Sequence, residues 1–415
     1  MVSSSDRFDL IMIGAGLEGL LCAALLAKRG RRVYLMDESG EPGGASFRIQ
    51  HKGYSFVQGP TLFLGFDRDG LYDRLFNELG ISLARLKKDS STLLRTRPPF
   101  QVVLPNHRVD YYNEAGKLQE ELHREFPDQV REIRSLWREM EECDQALQSR
   151  LILTHPVRPA TVKDWTDELK ERWRFSSTVG SRKKIPAKEV IEKHRIGPDL
   201  RRILEILCLF FFQRSLEEAS SLDLVYLIGI VRREMVTVNG GIPGLAPLLV
   251  KAIQESRGHV FLGQAASELV FRRRTLDGVR TARGEVIRAN HVVVNRTWSP
   301  DGGDSGRTEF SLYFGVPERV IPEPMKNHLF LLKPNGQGKG GESTLYIRIN
   351  PKVGKDGVPE GQRALQVTGF LDEEDRSRDE IRKDLVEEVK DQLGWLIPFS
   401  EGHLELLGED IGESE

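Results

Sequence analysis

Residues 8–19 read Phe8-Asp9-Leu10-Ile11-Met12-Ile13-Gly14-Ala15-Gly16-Leu17-Glu18-Gly19. The first six form a short, largely apolar run ended by glycine, the pattern of a buried parallel strand. Leu20 to Arg29 continues with the Ala/Leu-rich pattern of a helix, and Gly30 closes it as a C-cap. Arg32-Val33-Tyr34-Leu35-Met36 is a second strand, with Asp37-Glu38 at its end. Strand, GxGxxG turn, helix, strand and terminal carboxylate together spell a βαβ dinucleotide-binding unit. Gly14 permits the tight turn, Gly16 lets a pyrophosphate approach the backbone, and Gly19 lets helix and strand pack closely. The N–H groups of the turn, Ala15 among them, and the helix dipole favour that anion. Asp37 is placed to accept hydrogen bonds from the adenosine ribose, with Glu38 as the alternative.

Working outward, the 415 residues suffice for two or three domains or one composite enzyme fold. Lys plus Arg number 60 against 62 Asp plus Glu, which argues against a nucleic-acid binder held by bulk charge. Cys22, Cys143 and Cys208 are odd in number and far apart. They suggest neither a disulfide framework nor a cysteine-based metal site, and a reducing cytoplasm fits them best. Phe8–Ala27 is apolar enough to invite a secretory reading. Asp9 and Glu18 interrupt it, however, and no cationic stretch precedes it. No uninterrupted apolar run reaches the roughly 18–20 residues that span a bilayer.

Pro42-Gly43-Gly44 follows the second strand. A glycine pair there lets a second backbone segment close over the ribose and phosphates. Gly14-x-Gly16-x-x-Gly19-x-x-x-Ala23, Gly30-x-x-Val33-x-x-x-Asp37, Gly43-Gly44 and Gly53-Tyr54-Ser55-Phe56-Val57-Gln58-Gly59-Pro60 together resemble the opening of the phytoene desaturase family. That family of FAD enzymes includes carotenoid isomerases and retinol saturases, and is related more distantly to amine oxidases. The resemblance implies FAD as cofactor and an α/β fold: a Rossmann-like FAD/NAD(P)-binding domain with an inserted α+β substrate domain. It implies a basic residue after the glycine pair; Ala45 stands there, with Arg48 close enough to substitute. It also implies that Gly59, Pro60 and Thr61 wall the region near the flavin ring.

From Leu86 to Glu234 glycines thin out and helical patterns dominate. Val130, Ile133, Trp137, Met140 and Leu147 recur at three- and four-residue steps. Leu200 to Phe212 and Leu222 to Val231 are strongly apolar. They read as buried helices of a second domain, or Phe210 to Phe212 line a channel for a long apolar substrate or touch a membrane. Arg182-Lys183-Lys184 with Lys188 is a solvated loop or an anionic-membrane contact. At Asn239-Gly240-Gly241 the pattern returns to α/β: a helix to Gly258, strands at 259–262 and 267–271, and a hairpin from 278–280 to 285–287. A further strand, 289–295, ends in asparagine. By resemblance this is the second nucleotide-domain segment, and the Ala266 backbone would meet the adenine edge. Strands follow at 310–315, 343–349 and 364–370, then a helix over 379–393. Gly336–Gly341 lacks the Lys-Ser/Thr ending of a P-loop and reads as linker.

These readings divide the chain into a discontinuous nucleotide domain (1–85 and 235–300), a substrate domain (86–234 and 301–400) and a frayed acidic tail (401–415). The resemblance further implies a glycine-rich C-terminal segment completing the flavin site, and nothing like it occurs after Trp395. The expected activity is an FAD-dependent oxidoreductase acting on a hydrophobic polyene or lipid-like molecule by desaturation, saturation or isomerisation. The alternatives are a catalytically degenerate subunit whose site a partner chain completes and, more remotely, an amine oxidase-like flavoenzyme. The expected location is cytoplasmic with peripheral membrane contact open. No residue declares itself as a catalytic acid or base. His51, His107, His155 and His291 form no metal-ligand spacing, and no nucleophile-elbow sequence occurs.

Overall fold

The computed structural model describes residues 7–44, 46–89, 92–151, 180–229, 233–295, 307–333, 343–350, 358–372 and 378–411. In chain order the elements begin β1 (Arg7–Ile13), α1 (Leu17–Lys28), β2 (Val33–Asp37), β3 (Arg48–His51), β4 (Tyr54–Val57) and β5 (Leu62–Phe63). Next come α2 (Leu71–Glu78), α3 (Leu83–Asp89), β6 (Leu93–Leu94), β7 (Phe100–Val103), β8 (Arg108–Tyr111), α4 (Ala115–Glu125) and α5 (Val130–Leu151). Then follow α6 (Ala187–Lys193), α7 (Pro198–Phe212), α8 (Ser221–Gly229), β9 (Val236–Val238), α9 (Gly241–Glu255), β10 (His259–Leu262), β11 (Ala266–Arg272), β12 (Thr275–Thr281) and β13 (Val286–Val294). The last are β14 (Arg307–Pro317), β15 (His328–Lys333), β16 (Ser343–Ile349), β17 (Gln362–Asp372), α10 (Arg378–Leu396) and β18 (Glu405–Ile411).

Two compact units share these elements. The first comprises Met1–Arg95, Val236–Gly303 and Pro351–Val358; the second comprises Thr96–Met235, Asp304–Asn350 and Pro359–Glu415. The first unit runs to Arg95 rather than 85, because Leu93 and Leu94 of β6 pair with Val238 and Thr237 of β9.

The first unit is built on a sheet of order β10-β2-β1-β13-β12-β11. Its first four strands are parallel; β12 runs antiparallel to β13, and β11, antiparallel to β12, resumes the direction of the first four. Leu10, Met12 and Leu35 on one face pack with Leu20, Leu21 and Ala24 of α1 and Leu245, Leu249 and Ile253 of α9. Phe8, Ile11, Tyr34, Met36, Val279 and Ala289 form a smaller cluster of their own. Each fully buried Leu, Ile or Phe contributes about 1.5–3 kcal/mol. Because both faces are covered, the strands read as continuous apolar runs rather than alternating ones. The chain leaves β1 for β2 on one side, while β13 lies on the other, so the strand order reverses between β1 and β13. In open α/β sheets, ligands sit at the carboxyl ends of the strands at such a reversal.

The hairpin expected at 278–287 and the strand expected at 289–295 form one continuous ladder. Strand β13 pairs with β12 through Val286–Arg288 and with β1 through Arg288–Val294. No turn residue separates Ile287 from Ala289, so nothing in the chain ends the strand there.

The second unit carries a sheet of order β18-β14-β17-β16-β15-β7-β8, antiparallel except for β15 with β7. Leu312, Phe314, Val367, Leu345 and Ile347 face Leu385, Val386, Val389 and Leu393 of α10. The stretch 401–415 is not wholly a frayed tail: Glu405–Ile411 pairs antiparallel with Phe310–Gly315 of β14. Its charges obscured that pairing, since an edge strand tolerates acidic side chains that a central strand would exclude.

Candidate functional site

A cavity of about 980 Å³ opens where β1 ends and α1 begins. Gly14 carries φ +108°, and a Cβ on it would meet the Asn295 carbonyl oxygen at 2.3 Å. A Cβ on Gly19 would lie 2.2 Å from the Gly14 oxygen, so only glycine lets α1 start this close to the turn. Gly16 is different. A Cβ there would meet no backbone, its nearest neighbours being two side-chain ends, Asn295 Nδ2 at 3.3 Å and Glu18 Oε2 at 3.9 Å, and Gly16 lines the cavity.

Ala15 ties three segments together. Its N–H donates to Asp37 Oδ2 at 2.6 Å, and its carbonyl accepts the Gly43 N–H at 3.0 Å. Asp37 Oδ1 accepts from the Ser39 N–H at 2.8 Å. The glycine pair is thereby drawn onto the turn: a Cβ on Gly44 would lie 3.1 Å from the Gly16 Cα. The returning segment closes the far wall. The Gln264 N–H donates to the Asp37 carbonyl at 2.8 Å, and Tyr34 donates its hydroxyl proton to Gln264 Oε1 at 2.7 Å. Burial, with Glu285 second, pushes the Tyr34 phenol up to about 12, so it remains a donor at neutral pH.

Of the residues singled out from sequence, Gly14, Gly16, Asp37, Glu38, Gly43, Gly44, Gly59, Pro60 and Ala266 line this one cavity. Ala15 and Gly19 shape it from behind. Thr61 is buried, and its carbonyl accepts the Val238 N–H at 2.8 Å. Arg48 stands apart from the lining, with its guanidinium beside Gly240 at the start of α9. Ala45 and His155 lie outside the described residues. Sequence reasoning missed Glu18, Ser46, Gln264, Leu269 and the side chain of Asn295, all of which line the cavity. Asn295 had one signal, its place at the end of a strand leading back to the fingerprint. Gln264 and Ser46 had none.

In the second unit, half-buried Phe210 of α7 lies 5.3 Å from Phe330, 5.9 Å from Tyr346 and 5.4 Å from Phe370, measured between ring centroids. Phe211 lies 5.8 Å from Phe330. The residues before them, Leu200 to Cys208, put Ile203, Leu204, Ile206 and Leu207 fully inside. The helix is thus core along most of its length, with an aromatic bed at its end. On the same strands His328 is buried, with Nδ1 2.6 Å from the Tyr346 hydroxyl. Burial, with the Arg348 charge second, pushes its imidazole down to about 3. In the basic segment, Arg182 bonds Glu139 at 2.7 Å and Lys188 lies 3.1 Å from Glu217, while Lys183 and Lys184 are exposed. Among the described residues no helix is long and apolar enough to cross a membrane, and no His/Cys/Asp/Glu group could hold a metal ion.

Residues 12–79 match the family model of the NAD(P)-binding Rossmann-like domain. Over 91% of its length the chain is 23% identical to a phytoene desaturase of Cercospora nicotianae. Over 88% it is 22% identical to a chloroplastic prolycopene isomerase of Daucus carota. The chain is related to the phytoene desaturases and prolycopene isomerases. It spans 63% and 61% of the lengths of these two relatives. Among solved structures, a protein from Pyrococcus furiosus is similar at TM-score 0.63 and 16% identity, over 98% of this chain and 88% of that one. Putrescine oxidase with bound putrescine is similar at TM-score 0.58 and 13% identity, over 98% and 85%. These likenesses concern the fold, a Rossmann-like α/β architecture with a second, mixed unit.

Proposed function

We propose that this chain binds FAD and serves as an oxidoreductase of the phytoene desaturase type, acting on a hydrophobic polyene or lipid-like molecule. One observation carries the reading. The GxGxxG turn, the Gly43-Gly44 pair and the 264–269 segment converge on a single cavity at the strand-order reversal. The tight packing of the cradle supports a dinucleotide: a Cβ at Gly14, Gly19 or Gly43 would collide with backbone oxygen within 2.4 Å, so glycine is what lets the turn, α1 and the glycine pair draw together around the cavity. Gly14, Gly16 and the first turn of α1 would hold the pyrophosphate. Asp37 and Glu38 would hold the ribose, and backbone of the Ala265–Ala266 segment the adenine. The bound flavin would supply hydride or electron exchange, and the protein supplies position, electrostatics and exclusion of water. The aromatic bed of Phe210, Phe330, Tyr346 and Phe370 supports an apolar, extended substrate. Lys183 and Lys184 support contact with an anionic membrane from which such a substrate is drawn.

The test is an absorbance spectrum of the purified chain after incubation with FAD and gel filtration. A retained flavin band supports the reading and justifies assays with polyenes. A folded protein without flavin, and without any nucleotide-induced change in tryptophan fluorescence, overturns it. A second reading, a non-catalytic subunit, draws on the cavity's charge: Glu18, Asp37, Glu38 and Glu268 line it, and no lysine or arginine is among its described lining residues.

A further inference from the structure

That charge balance has an unequal distribution. Glu268 accepts a hydrogen bond from Arg280 Nε at 2.5 Å. Asp37 spends both carboxylate oxygens on backbone N–H groups. Glu18 alone of these three makes no hydrogen bond or ion pair among the described residues. It sits in the first turn of the twelve-residue helix α1, whose N-cap, Gly16, offers no side-chain capping bond. Its Oε2 lies 3.9 Å from where a Cβ on Gly16 would be, on the very face that glycine leaves open. A carboxylate there interacts favourably with the helix dipole, as a bound phosphate would.

We infer that Glu18 is an affinity-determining residue: its carboxylate competes with the cofactor's pyrophosphate for the start of α1 and keeps the dinucleotide exchangeable. The inference rests on the dinucleotide reading of the cavity. In the free protein, Glu18 complements the helix N-terminus. When a dinucleotide enters, that negative charge stands beside two more, and no lysine or arginine among the described lining residues offsets it. The carboxylate swings aside into water or repels the ligand, and either cost lowers affinity. A neutral side chain at 18 removes the repulsion while leaving the glycine turn intact.

The experiment measures Kd for FAD, ADP and adenosine on the full chain and on Glu18→Gln and Glu18→Ser, with circular dichroism confirming that each is folded. FAD and ADP carry the pyrophosphate; adenosine does not. Both variants are expected to bind FAD and ADP roughly tenfold more tightly, as removal of one nearby charge in a solvated cleft allows. Adenosine affinity stays unchanged, and raising salt from about 50 mM to about 500 mM narrows the difference. Equal or weaker FAD and ADP binding by both variants overturns the inference, as does equal tightening toward adenosine. If wild type binds FAD and the variants do not improve on it, the cavity's assignment stands and only the role of Glu18 falls. If no form binds FAD, ADP or adenosine, the assignment itself falls and takes the inference with it.

Discussion

The Asp37 carboxylate accepts the Ala15 N–H at 2.6 Å, so the end of β2 and the glycine turn after β1 are fastened to each other across 22 residues of sequence. Its other oxygen holds Ser39, which starts the segment leading to the glycine pair. Hydrogen bonds to a charged acceptor are worth about 1.5–3 kcal/mol each. Asp37→Ala should therefore lower stability by about 2–4 kcal/mol in urea titration and abolish retention of nucleotide. Asp37→Asn keeps one acceptor oxygen and should lose about half as much. Equal stability of wild type and Asp37→Ala would show that the turn holds its shape without this tie.

The glycines of the fingerprint should separate folding from binding. Gly14→Ala places a Cβ 2.3 Å from the Asn295 carbonyl at a φ of +108°, so backbone must move. A cost of about 2–4 kcal/mol is expected, by crowding plus the left-handed conformation. Gly16→Val should cost less stability than Gly14→Ala, because its tight neighbour, Asn295 Nδ2 at 3.3 Å, is the end of a side chain that can shift rather than backbone. It should nevertheless fail to retain FAD. Unchanged flavin content in Gly16→Val would contradict the placement of the pyrophosphate.

How far these features were legible follows from their range along the chain. The βαβ unit is local: apolar runs, glycine spacing and a terminal acid lie within 30 residues, and each constrains the backbone directly. The glycine pair was legible for the same reason. Arg48 seemed close enough to the phosphates in sequence, but as the first residue of β3 it is carried toward Gly240 instead. Asn295 reaches the turn only because β13 lies beside β1, a pairing 281 residues apart that no local pattern encodes. The buried His328–Tyr346 contact is hidden likewise, since a lone histidine in an apolar strand carries no mark of its partner.

His328 gives the second unit a pH dependence. The unfolded chain takes up its proton near the ordinary value of 6.5, while the folded imidazole resists protonation until about 3. Between those values the unfolded state binds more protons, so stability falls as pH drops from 6.5 toward 3. The slope from this group approaches about 1.4 kcal/mol per pH unit. His328→Asn should flatten urea midpoints across that window relative to wild type, whatever its effect at neutral pH. An unchanged difference between pH 6.5 and pH 4 in the variant would show that His328 is protonated in the folded protein.

Strand β18 makes residues 405–411 part of the second unit's stability. Leu406 and Leu407 sit where the ladder shifts register between Tyr313 and Phe314; Leu406 packs against the apolar face that α10 covers, and Leu407 is buried. Its acidic neighbours Glu405, Glu409 and Asp410 occupy the sheet's edge, where charge discourages further strands from adding. Truncation after Ser400 removes these contacts and bares the backbone of β14, whose Phe310, Leu312 and Phe314 belong to the core. The truncated chain should lose at least about 2 kcal/mol and melt several degrees lower, with a rise in light scattering as the bared edge pairs with other molecules. Leu407→Asp should destabilise comparably while leaving the edge covered, so its scattering should stay low before the melt. A truncated protein that melts with wild type would return residues 401–411 to the status of a tail.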